Sequence, residues 1–152
     1  GCRRCRRHGV LFVIVITAVG GGTGRRRARA RVCEAQGAAV CVRVLLGHYE
    51  AAVPAATRGD VVRSIVEEKW LPALRNFEPQ LIIISAGFDA HREDDLGQMG
   101  LVEDDYVWIT KRLKEIAHEF ANDRIVSCLE GGYNLSALGR SVVAHVKALA
   151  DI

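Results

Sequence analysis

From Val53 onward, apolar residues recur with two distinct periods. TRGDVVRSIVEEKWLPAL (57–74) sets Ile65, Val66, Trp70, Leu71 and Leu74 at helical spacing, which predicts an amphipathic helix. Pro72 is expected to kink that helix or to start a new turn. FEPQ breaks the pattern, and LIIISA (81–86) follows as an unbroken apolar, β-branched run. Such a run suits a strand buried on both faces of a parallel sheet. After the loop GFDAHREDDLGQMG (87–100), residues 102–120 return to helical spacing, with Tyr106, Ile109, Leu113, Ile116, Ala117 and Phe120 on one face. Glu103, Asp104 and Asp105 fall in its first turn, where the helix dipole favours acids. AND (121–123) ends this helix, and RIVSCL (124–129) is expected as a second buried strand. EGGYN (130–134) then turns the chain into a last helix from about Leu135 to Leu149. Its expected apolar face is Leu138, Val142, Val143, Val146 and Leu149, and Asn134 is its expected N-cap.

The order αβαβα implies a fold class: α/β, a parallel sheet with flanking helices. A strand, a helix and a strand in succession form a parallel crossover, which is right-handed as a rule. Ligands of open parallel sheets bind outside the carboxyl ends of the strands. Both strands end there in glycine-bearing loops, the first presenting Asp89 and the second Tyr133. The topology therefore brings the two residues to one edge of the sheet.

Composition divides the 152 residues in two. Residues 1–52 hold ten arginines, no lysine and two acids, a net charge of +8. Residues 53–152 hold eleven basic and sixteen acidic residues, a net charge of −5. The first part has little periodicity and lacks Asp, Asn and Lys altogether. A flexible basic arm and a stretch read in the wrong frame from GC-rich DNA both account for it. The expected division is thus an atypical Arg/Cys-rich segment at 1–52 and a domain at 53–152. The chain starts at Gly1 rather than Met, and the expectation is a fragment or a processed product. GCRRCRRHG followed by VLFVIVITAV imitates a secretory signal. The apolar run is short for a bilayer span, so a buried strand, or no native structure, is expected instead, with no membrane partner and a cytoplasmic setting.

Several motifs in the first part offer little chemistry. Cys2-x-x-Cys5 with Cys33 and Cys41, or with His8, could form a zinc knot, but the second pair has the wrong spacing for a ribbon. RRRARAR (25–31) can bind phosphates only without sequence preference, because no fold or aromatic residues accompany it to read bases. GGGTG (20–24) lacks the Lys-Ser/Thr ending of a phosphate-binding loop. Cys128 sits in an apolar run and is expected as a small buried hydrophobe.

Asp89 has two readings from spacing alone. As a loop carboxylate it caps backbone N–H groups or pairs with Arg92. As a hard oxygen at a strand end it ligates a divalent cation. Tyr133 is either a packed aromatic or a phenol aimed into a cleft from behind Gly131 and Gly132.

ISAGFDAHREDDLGQMGLVEDDYVWIT and RIVSCLEGGYNLSALGRSV together resemble the C-terminal part of the zinc-dependent histone deacetylase family, nearest the bacterial class II-like members with the arginase–deacetylase fold. The likeness covers about residues 53–152. It implies that Asp89 is the last zinc-ligating aspartate, that Tyr133 is the catalytic tyrosine, and that Leu96 lines the acyl-lysine tunnel, with Gly131 also on the substrate side. His91 matches no ligand of the family and is read as a loop residue. Asp95 stands where many relatives have Pro. The implied cofactor is Zn2+, and the implied substrate is an acetylated lysine peptide or a small acetylated amine. The family also places an Asp-x-His ligand pair and a His-His catalytic pair upstream, and residues 1–52 contain no Asp and only the isolated His8 and His48. His118 and His145 are read as ordinary helix-face residues. The chain alone is therefore expected to be inactive. The alternative is a non-catalytic, deacetylase-like remnant that serves as a binding module, for which an exposed apolar patch is expected.

Overall fold

A computed structural model of the chain describes residues 14–18, 39–44 and 49–152, with side chains from Val53 onward. The cysteines and histidine of the suggested zinc knot, the arginine run and the GGGTG stretch lie outside those side chains. The strands are β1 (Ile14–Ala18), β2 (Ala39–Val44), β3 (Tyr49–Pro54), β4 (Ile82–Ala86) and β5 (Ile125–Leu129). The helices are α1 (Gly59–Ile65), α2 (Leu71–Phe77), α3 (Glu103–Phe120) and α4 (Leu135–Ala150). Among the described residues, no helix is long and apolar enough to cross a membrane.

The five strands form one sheet in the order β3-β2-β1-β4-β5. β4 and β5 pair in parallel from Ile82↔Ile125 to Ala86↔Leu129, so the crossover β4–α3–β5 is the expected one. Elsewhere the sheet is mixed. β1 pairs antiparallel with β4, and β3 antiparallel with β2, while β1 and β2 are parallel. The apolar run near residue 14 thus supplies a strand, and β4 is an interior strand of the sheet.

The predicted first helix is a composite. A single π-helical turn, Val66–Trp70, joins α1 to α2, and Pro72, which has no N–H to donate, sits directly after that turn at the start of α2. Val62, Val66, Trp70, Leu71 and Leu74 are buried against Ile82, Ile84, Leu113 and Ile116. α3 buries Tyr106, Ile109, Leu113, Ile116 and Ala117, as its periodicity predicts.

Two expectations are corrected. β5 is not buried on both faces: all of it after Ile125 is exposed, Cys128 included. Its composition is that of a buried strand, but among the described residues it has a hydrogen-bonded neighbour on one side only. α4 packs Leu138 and Val142 against the core as predicted but is rotated from the rest of its predicted face. It buries Ala137, Ser141, His145 and Ala148, whereas Val143 and Val146 are exposed. Small side chains and one satisfied histidine form its most buried stripe, a pattern that a count of large apolar residues cannot detect.

Candidate metal and active site

The loops at the carboxyl ends of β4 and β5 are stitched together through backbone. Phe88 N donates to Gly131 O at 2.8 Å, and Glu130 N donates to Ala86 O at 3.0 Å. Tyr106 supports this junction from α3, its hydroxyl donating to Phe88 O at 3.2 Å. Asp89, one residue on, is 3% exposed. It forms no ion pair with Arg92, and its Oδ1 is buried without a hydrogen-bond partner among the described residues. Burial pushes its carboxyl up to about 6; its own backbone N–H opposes the rise and the Asp94 charge adds to it.

Glycines make room around that carboxyl. A Cβ on Gly131 would lie 3.1 Å from Asp89 Cγ and Oδ1, so any side chain there would crowd the carboxylate. A Cβ on Gly97 would lie 1.5 Å from the Asp89 carbonyl oxygen, which seats the far end of the loop directly on the Asp89 backbone. Gly132 has φ +134°, a conformation closed to most side chains, and turns the chain toward Tyr133.

Tyr133 is 61% exposed and Leu96 is 50% exposed. Both attach by their backbone N–H groups to one buried carboxylate, Asp94. Tyr133 N donates to its Oδ2 at 2.6 Å, Asn134 N to the same oxygen at 3.0 Å, and Leu96 N to its Oδ1 at 3.0 Å. Burial alone would raise the Asp94 carboxyl, but the N–H groups of Tyr133, Asn134, Leu96 and Gly97 outweigh it and hold it below the usual carboxylate range. Asp94 was missed in the sequence because it is the middle member of three consecutive acids, Glu93 to Asp95, which read as a solvated run. Its spacing of two residues to Leu96 fits an Asx turn and was the available signal.

His91 is a loop residue as read, yet fully buried. Its Nδ1 accepts from Glu93 N at 3.2 Å, and its Nε2 lies 3.4 Å from Glu103 Oε2. His145 differs from its reading as a helix-face residue. It is buried between Thr110 Oγ1 (2.7 Å from Nδ1) and Ser127 Oγ (2.9 Å from Nε2). Thr110 donates its hydroxyl to Tyr106 O, so its oxygen accepts from Nδ1–H and leaves Nε2 to accept from Ser127. His118 is exposed beside Asp123, as expected.

A buried carboxylate oxygen with no donor is stable only if a proton or a cation completes it. Asp89 therefore suits the role of one hard ligand to a divalent metal. No group of three or more His, Cys, Asp or Glu side chains that could hold an ion occurs among the described residues.

The histone deacetylase domain model matches residues 33–149. The chain belongs to the histone deacetylase family. Type-2 histone deacetylase 1 of Dictyostelium discoideum is 47% identical over 78 residues, which cover 51% of this chain and 5% of that protein. Histone deacetylase 14, chloroplastic, of Arabidopsis thaliana is 39% identical over 92 residues, covering 60% of this chain and 22% of that protein. The crystal structure of the HDA15 HD domain aligns with a TM-score of 0.59 at 31% identity, covering 63% of this chain and 26% of that one. The histone deacetylase match begins twenty residues before the compositional boundary at residue 53. The fold is accordingly part of an arginase–deacetylase domain, and the chain spans about a quarter or less of these relatives' own length.

Proposed function

We propose that the loops after β4 and β5 form the metal-and-oxyanion side of a zinc-dependent deacetylase site, which hydrolyses an acetyl-lysine peptide or a small acetylated amine to acetate and a free amine. The observation that carries this reading is the buried Oδ1 of Asp89, which has no hydrogen-bond partner among the described residues. Asp89 would be one zinc ligand. Bound zinc would polarise an acyl carbonyl and lower the pKa of a water. Tyr133, on the neighbouring loop, offers a phenol O–H to the negative charge that develops on the acyl oxygen. Gly131 leaves the space beside the Asp89 carboxyl open to the acyl group. Leu96 offers an exposed apolar side chain to the aliphatic stem of the substrate amine.

Catalytic zinc sites use three protein ligands and an open position. The described residues provide Asp89 and no three-member donor group. By itself, then, the 152-residue chain is expected to bind zinc weakly and to release no acetate. Cobalt(II), a paramagnetic stand-in for zinc, tests the site by NMR. Amides of the Asp89 and Gly131 loops should broaden on titration, and Asp89→Ala should abolish the effect. Metal binding indifferent to that substitution would favour a non-catalytic, deacetylase-like binding module. Chelator-sensitive acetate release from an acetyl-lysine peptide would overturn the expected inactivity of the isolated chain.

A further inference from the structure

We infer that Asp94 is a positioning residue that sets where Tyr133 stands relative to Asp89. The inference rests on the reading of Tyr133 as the oxyanion donor, and it adds a residue to which the resemblance gave no role. Tyr133 has no side-chain anchor among the described residues, since its ring is largely exposed and its hydroxyl has no hydrogen bond there. Its position must be imposed through the backbone. The two residues before it are glycines, one at positive φ, and such a pair is the softest link a chain can have. The backbone stitch at Gly131 O fixes the first glycine and leaves Gly132 as the joint to the residues beyond it.

The first restraint beyond the glycines is the Asp94 carboxylate, with Oδ2 accepting from both Tyr133 N and Asn134 N. Asp94 is itself fixed to the Asp89 loop. Its N–H donates to His91 O at 2.9 Å, and its Oδ1 accepts from Leu96 N. One ionised side chain therefore ties together the metal-side loop, the apolar residue at the mouth and the phenol-bearing loop. Hydrogen bonds to a charged acceptor are the stronger kind. The Asn134 side chain adds a second tie, with Nδ2 donating to Glu93 O and Oδ1 capping α4 at Ala137 N. That tie holds α4 and leaves Tyr133 N to Asp94 alone.

The test uses the full chain, labelled with 3-fluorotyrosine, in wild-type form and as Asp94→Ala, Asp94→Asn and the surface control Glu93→Ala. Hydrogen exchange should quicken about tenfold or more at the Tyr133 and Asn134 amides in Asp94→Ala, with Leu113 and Ile116 unchanged. The fluorine signal of Tyr133 should narrow and move toward that of free fluorotyrosine. The Tyr106 signal should stay in place, which a general loosening of the fold would not allow. Asp94→Asn keeps one acceptor oxygen and should fall between the two, and it decides the matter if the alanine variant does not fold. Protection at Tyr133 in Asp94→Asn equal to wild type, or a Tyr106 signal that moves as far as that of Tyr133, would overturn the assignment. Neither readout involves metal or substrate. A chain with no Asp89-dependent metal binding would sink the deacetylase reading and leave these results to stand or fall separately.

Discussion

Asp89 carries a cost, a buried carboxyl oxygen with no hydrogen-bond partner among the described residues. Its carboxyl is raised from 3.8 to about 6, chiefly by burial. A raised folded-state value means that the native chain binds the proton more tightly than the unfolded chain. Stability is then fully present below about pH 4 and falls as the pH rises through about 6. Asp89→Asn removes the ionisation at nearly constant shape. The metal-free variant should match wild type near pH 4 and exceed it by about 3 kcal/mol near pH 8. Urea unfolding at the two pH values measures the difference. Added zinc should stabilise wild type and not the variant, because a ligand bound only to the native state adds to its stability. Identical pH dependence for both proteins would mean that the buried oxygen is already satisfied. In the sequence, Asp89 was legible as a candidate because a carboxylate directly behind LIII demands a partner. Asp94 was not, because nothing in a run of three acids shows which one turns inward.

Between elements, the joint of α1 and α3 depends on a missing side chain. Asp105 is buried at the start of α3, and its carboxylate accepts from Val102 N at 3.0 Å, Arg63 Nε at 3.0 Å and Arg63 Nη2 at 2.8 Å. Gly59 opens α1 against it, and a Cβ there would lie 1.9 Å from Asp105 Oδ1. Helix propensity alone favours Ala over Gly by about 1 kcal/mol. Displacing a buried carboxylate from an arginine and a backbone N–H costs about 2–4 kcal/mol, so the clash wins. Gly59→Ala should lower the urea midpoint, and most of that loss should vanish in an Asp105→Ala background, where the obstacle is gone. Additive losses in the double variant would show that Gly59 matters for another reason. Element type was legible here from periodicity, as were the Pro72 break and the Asn134 cap. The facing of elements was less so. Val143 and Val146 fit a helical stripe as well as Ala137 and Ser141 do, but only the latter are small enough for the contact that α4 makes, with His145 satisfied by Thr110 and Ser127.

At the scale of the whole molecule, the sheet of described strands ends in β5, and that end is apolar and open among the described residues. Val126 is 47% exposed and Leu129 63%, and Cys128 lies exposed between them. RIVSCL was read as buried because its composition is that of an interior strand. Composition records what a strand is suited to, and only the sheet order shows whether neighbours stand on both sides of it. A strand without charge, with one free edge, is a template for pairing with another chain. The chain is therefore expected to self-associate with rising concentration, and sedimentation velocity across about a hundredfold concentration range measures this. Val126→Lys places a charge on the free strand, the device by which natural edges resist pairing. It should shift the population toward monomer and leave the urea midpoint within about 0.5 kcal/mol of wild type, as expected for an exposed position. Cys128 reports on the same contact, since its reaction with a thiol reagent should be fast in dilute wild type, slower at high concentration, and fast throughout in the lysine variant. A monodisperse monomer at every concentration, with Cys128 equally reactive throughout, would show that the β5 edge is protected in solution by something other than a second strand.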